Sequence, residues 1–134
     1  MIEHTSTIRV RFGETDKMGV VYHPNYLVYF EIGRTEMLRK AGLIYSELEQ
    51  KGGALVVVEA GVQYKKSVRY DEEIRITTKT TRIGHASLHF EYRVMNLQGA
   101  LVAEGFTKLG CVGKDLKPKK LPPEVKKCLS APLS

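Results

Sequence analysis

A chain of 134 residues with one long helical segment and strand patterning almost everywhere else has few ways to fold. The helical segment is "HPNYLVYFEIGRTEMLRKAG". Pro24 suits the first helical position, where its missing N–H would go unpaired anyway. Arg39 and Lys40 suit the last turn, and Gly42 the stop. The spacing predicts a helix from about His23 to Ala41, roughly 27 Å long at about 1.5 Å per residue. Tyr26, Leu27, Phe30, Met37, Leu38 and Ala41 recur at helical spacing. Val28, Tyr29 and Ile32 widen the stripe, so the first half of the helix is expected to be largely enclosed.

The flanking sequence alternates with a period of two. Thr7 to Phe12 places Ile8, Val10 and Phe12 opposite Thr7, Arg9 and Arg11, a half-buried strand. "ALVVVEAGVQYKKSVR" reads as a strand with a bulge or bend at Gly61. "EEIRITTKTTRI" and "ASLHFEYRVMN" alternate, and the turn "NLQG" leads into "ALVAEGFTKLGCVG". "PPEV" opens a short, peripheral terminal helix. One early helix followed by successive strands makes an α+β fold, with an antiparallel sheet of about five strands curled around the helix. An exposed sheet edge then needs cover.

Length suits one domain over residues 1–134, with a basic C-terminal tail from about residue 115. Two cysteines make no disulfide framework, and no Cys/His cluster suggests zinc. His85 and His89 sit on a strand about 13 Å apart at about 3.3 Å per residue, too far to share one ion. Cys111 is expected in the core. "MIEHTSTIRVRF" lacks the basic start and apolar run of a secretory leader. No window reaches the roughly 18 apolar residues of a membrane span, so a cytoplasmic location is expected. The net charge of +6 favours an anionic partner. Nucleic acid, a membrane surface and a phosphorylated small molecule all meet that description, and "KDLKPKKLPPEVKK" is also explained as a solvated tail, free to dock on a membrane or to stay loose.

Asp16 stands in a glycine-flanked loop just before the helix. A helix N-terminus carries unpaired N–H groups and about half a positive charge. It can stabilise negative charge developing on a carbonyl oxygen. Gly19 allows close approach of a substrate, and Val20, Val21 and Tyr22 offer an apolar wall. Asp16 could then act as nucleophile or general base. It also fits a turn-capping carboxylate, and spacing alone leaves both roles open.

The stretch "ETDKMGVVYHPNYLVYFEIGRTEML" resembles the signature of hotdog-fold acyl-CoA thioesterases, nearest to the 4-hydroxybenzoyl-CoA thioesterase-like group, which includes a bacterial enzyme associated with the Tol-Pal system. The similarity runs on through "VQYKKSVRYDEEIRITTKTTRIGHASLHFEYRVMN" to about "KPKKLPPEV". It implies an acyl-CoA hydrolase without a cofactor, coenzyme A being part of substrate and product. It implies Asp16 as the catalytic carboxylate and the backbone amide of His23 as the oxyanion donor. Asn25 and Tyr26 become candidate substrate contacts. Lys65, Lys66, Arg69, Arg82, Gly84 and Ser87 become candidate contacts to the coenzyme, Arg82 first among them. The family also implies a homodimer joined edge to edge, often paired again into a homotetramer. The alternatives are a hotdog dehydratase or hydratase, and a non-catalytic acyl-CoA-binding protein. A nucleic-acid binder is disfavoured because the aromatics of "LHFEYRVM" share a face with Leu88 and Val94.

Overall fold

The computed structural model describes residues 1–130. Five strands form one antiparallel sheet: β1 (Glu3–Arg9), β2 (Ala54–Tyr64), β3 (Glu73–Ile83), β4 (Ser87–Asn96) and β5 (Leu101–Val112), in the order β1-β3-β4-β5-β2. The long helix α1 (Asn25–Lys40) lies across it, with short helices α2 (Tyr45–Gln50) and α3 (Pro123–Ser130) at one end. The α+β architecture expected from the periodicities is therefore present, with β1 and β2 as its edges.

α1 stops for the reason its sequence indicates. Gly42 takes φ +91°, its N–H donates to Arg39 O at 3.0 Å, and the Leu43 N–H reaches Leu38 O at 2.8 Å. This is a Schellman termination, and a left-handed residue there suits glycine. Tyr26, Tyr29, Phe30, Gly33, Met37 and Leu38 form the buried face. Phe30 stacks on Tyr92 of β4 with centroids 4.2 Å apart. Leu27 and Val28 are 41% and 48% exposed, so the first half of α1 is less enclosed than expected. One flank of the helix stays open in the single chain, because the sheet wraps only one side of it.

Four elements differ from the sequence expectation. The first strand ends at Arg9, and Phe12 instead enters a 3-10 turn over Phe12–Glu14, 77% exposed. β2 ends at Tyr64, and its irregularity lies between Val57 and Glu59 rather than at Gly61. Gly61 stays in register, and a Cβ there would fall 3.2 Å from Phe106 Cδ1. α2 carries no long apolar period and was not expected. The terminal helix is not peripheral: Leu121, Val125 and Leu129 are at most 1% exposed, and Ile2 N–H donates to Leu129 O at 3.0 Å. Cys111, by contrast, is buried as expected.

Candidate functional site

The loop between β1 and α1 is built on Glu14. One carboxylate oxygen, Oε1, accepts the Arg11 N–H at 2.9 Å and the Tyr29 hydroxyl at 3.0 Å. Oε2 accepts Arg11 Nε at 3.0 Å. The Glu14 carbonyl takes the Tyr22 N–H and the Asn25 Nδ2–H, both at 2.9 Å. One residue thus ties the loop to the first turns of α1. Burial presses the Glu14 pKa upward, but the Arg11 amide, the Arg11 guanidinium and the Tyr29 hydroxyl outweigh it and hold it below the usual carboxylate value. Asn25 is consequently a loop clamp rather than a pocket contact.

Removing that carboxylate has two expected consequences. Glu14→Ala leaves the Tyr29 hydroxyl, in a fully buried residue, without its acceptor. This costs about 1–3 kcal/mol and loosens the loop that carries Asp16. The pH dependence follows from the lowered pKa. Its stabilisation is complete above the ordinary carboxylate value of 4.5 and is lost as pH falls through the folded value. Thermal melts from neutral to acid pH should fall less steeply in Glu14→Gln than in the parent; parallel curves would remove Glu14 from the account.

Asp16 follows in a tight turn. Its Oδ1 accepts the Met18 N–H at 2.9 Å and the Val20 N–H at 3.4 Å, the local capping pattern of an Asx turn. Oδ2 accepts no hydrogen bond among the described residues. Gly19 closes the turn at φ +80°, a left-handed conformation that calls for glycine; a Cβ there would meet only the movable guanidinium of Arg69. The Val21 N–H to Val68 O bond at 2.9 Å and the Arg69 Nη1 to Met18 O bond at 3.4 Å join this loop to residues 66–72.

Asp16, Val20, Val21, His23, Tyr26, Tyr64, Lys65, Lys66 and Ser67 line an open cleft of about 340 Å³. The His23 N–H reaches no acceptor among the described residues. The His23 carbonyl accepts the Tyr64 hydroxyl at 3.2 Å, and the two rings meet edge to face at 6.1 Å. Burial and the neighbouring Tyr64 push the Tyr26 pKa up to about 12, so at neutral pH it is a hydroxyl on the cleft floor. Asp16, with one free carboxylate oxygen, and His23, two residues ahead of the first residue of α1, thus line one cleft with Val20 and Val21. Such a set can add a nucleophile to a carbonyl and hold the resulting oxyanion.

Other expected contacts distribute unevenly. Tyr22 is 50% exposed and stands outside the cleft. Arg69 borders it from behind Gly19. Arg82, Gly84 and Ser87 lie at the hairpin joining β3 to β4, whereas the loop near Asp16 meets the opposite end of β3, roughly 33 Å away at about 3.3 Å per residue. Within one chain they do not join the cleft. Glu14 and Tyr64 were missed as site-forming residues. Their partners Tyr29 and His23 lie 15 and 41 positions away, and no local motif marks such pairs. A second groove, about 470 Å³ beside Arg34, Leu38 and Tyr45, lies toward the other end of α1.

Residues 10–129 match the profile of the thioesterase-like superfamily. The putative acyl-CoA thioesterase YneP of Bacillus subtilis is 37% identical over 108 residues, 81% of this chain and 78% of that protein. The acyl-CoA thioester hydrolase YbgC of Escherichia coli is 34% identical, over 88% of this chain and 89% of that one. The crystal structure of the DHNA-CoA thioesterase of Staphylococcus aureus superposes with a TM-score of 0.92 at 34% identity, covering 97% and 90% of the two chains. With this sheet, this central helix and these relatives, the chain belongs to the thioesterase-like superfamily and is a hotdog-fold thioesterase.

Proposed function

We propose that this protein hydrolyses acyl-coenzyme A to a free acid and coenzyme A in the cleft between Asp16 and His23. The observation that carries the proposal is that Asp16, whose Oδ2 is unbonded among the described residues, and His23, just ahead of α1, line one cleft. The thioester carbonyl oxygen would accept the His23 N–H, where the helix dipole favours the charge that develops as the carbonyl is attacked. Asp16 then supplies the attacking oxygen itself, breaking the C–S bond to expel the coenzyme A thiolate and leave an acyl-enzyme anhydride that water cleaves, or takes a proton from a water whose attack expels the thiolate. In both routes the proton released from water ends on the thiolate or in solvent. Both routes need the carboxylate ionised. Lys65 and Lys66 on the cleft, with Arg69 beside it, are the proposed partners of the coenzyme phosphates. Cys111 and Cys128 are free thiols, in keeping with a reducing cytoplasm.

The working unit is proposed to be a homodimer joined along β2. This edge strand is 11 residues long, and Val56, Val57 and Val58 are 37%, 48% and 57% exposed on it. A long apolar edge left open pairs with another strand. Val57→Lys should shift sedimentation from dimer to monomer; an unchanged sedimentation coefficient would move the interface elsewhere. The activity itself is tested by thiol release from a panel of acyl-CoAs, acetyl through palmitoyl plus benzoyl types. Turnover of one group names the substrate class, and silence across the whole panel overturns the proposal.

A further inference from the structure

The charge of the chain is concentrated. Residues 108–127 contain seven lysines, no arginine and two acidic residues, a net +5 of the total +6. Beyond β5 the chain returns on itself. The Leu116 N–H donates to Gly113 O at 2.9 Å, the Gly113 N–H to Lys117 O at 3.0 Å and the Lys119 N–H to Cys111 O at 2.9 Å. The return projects as a hairpin with Lys114, Lys117, Lys119 and Lys120 exposed, and none of the four forms an ion pair among the described residues. Lys119 Nζ approaches the Gly52 turn, next to Lys51, whose charge is already paired with Glu124 at 2.9 Å. The Asp115 carboxylate accepts the Lys117 N–H at 3.0 Å. At the tip Leu116 is 76% exposed and held at φ +64°, a costly conformation for a leucine.

We infer that this hairpin docks the protein on an anionic phospholipid surface. The choice of lysine carries much of the argument. Lysine is a hydrated point charge on a flexible stem and suits diffuse attraction to a charged plane. Arginine, the fork that grips one carboxylate or phosphate, is absent from the segment. No aromatic residue lies between Lys114 and Lys127, so there is no stacking platform for single-stranded nucleic acid. The projected Leu116 enters the headgroup layer while the lysines around it meet the phosphates. The apolar face of α3 cannot add an amphipathic anchor, because Val125 and Leu129 are spent on the core. Attachment is therefore electrostatic, reversible and sensitive to salt. It is independent of the chemistry proposed at Asp16.

The test is co-sedimentation of the whole protein with vesicles of phosphatidylcholine, with and without phosphatidylglycerol, and polyglutamate as a soluble acidic competitor. Binding is expected only to the phosphatidylglycerol vesicles, with release at high salt. Lys114→Gln/Lys117→Gln/Lys119→Gln should lower the partition coefficient roughly a hundredfold, and Leu116→Asp should lower it too. Turnover of a short-chain acyl-CoA in solution should be unchanged in both variants, which shows that they fold. Equal binding to pure phosphatidylcholine, full binding by the triple variant, or capture by polyglutamate without vesicle binding would each overturn the inference. The last outcome would make the hairpin a dock for an acidic protein.

Discussion

Replacing Asp16 with asparagine should lower thioester hydrolysis by roughly 10²–10⁴-fold while melting temperature and oligomeric state stay those of the parent. The structure makes this substitution a sharp one. The two carboxylate oxygens of Asp16 sit in different settings. Oδ1 caps the turn by accepting the Met18 and Val20 N–H groups, and an asparagine carbonyl can do the same. Oδ2 has no structural partner among the described residues, so what asparagine removes is the charge and the basicity of that atom. Steady-state thiol release, with circular dichroism and sedimentation alongside, separates the two. Near-parental turnover would reduce Asp16 to its capping role. Lost turnover with an unchanged fold assigns the chemistry to the free oxygen.

The largest expected effect on stability comes from a position far less conspicuous in sequence. Gly105→Ala should destabilise the fold by about 3 kcal/mol, at the upper end of ordinary overpacking. That corresponds to roughly 10 °C in Tm for a domain of this size. A Cβ at Gly105 would collide with the Gly61 carbonyl oxygen and lie 2.7 Å from Phe30 Cε2. The first neighbour is backbone of the paired strand β2. The second is a ring already stacked on Tyr92, whose hydroxyl is bonded to Thr107 at 2.6 Å. Neither has a free direction in which to yield. By contrast a Cβ at Gly99, in the β4–β5 turn, would meet nothing within 4 Å. A Gly105→Ala melt within a degree or two of the parent would show that β2 can move aside.

Much of the architecture is written in local patterns. Alternation in "ASLHFEYRVM" puts Leu88, Phe90, Tyr92 and Val94 inward, and all four are at most 1% exposed. Pro24 and Gly42 bracket α1 to within a residue or two because caps act through neighbouring backbone groups. Patterning fails where no local rule governs. Phe12 continues the alternation of β1 yet leaves the sheet, since Glu14 draws the chain into a 3-10 turn through contacts with Tyr29. The short α2 is placed by packing rather than by period. The tail reads as basic and loose because its lysines outnumber everything else, although Leu121, Val125 and Leu129 pin it to the core at four-residue spacing.

For the site, sequence alone determined the residue types: an acid, a glycine, an apolar run and a helix start within ten positions, Asp16 to Asn25. These belong together because they share one turn of chain, and their order requires nothing distant. Tertiary structure decided which atoms are free to act and which expected contacts are near. Asn25 is consumed by the Glu14 carbonyl and Arg82 is carried to the far end of β3. Tyr64 and Lys65, some forty residues downstream, close the cleft. Local spacing encodes what neighbouring atoms can do, whereas the pairing of strands sets which distant atoms become neighbours, and only the packed sheet and helix settle that.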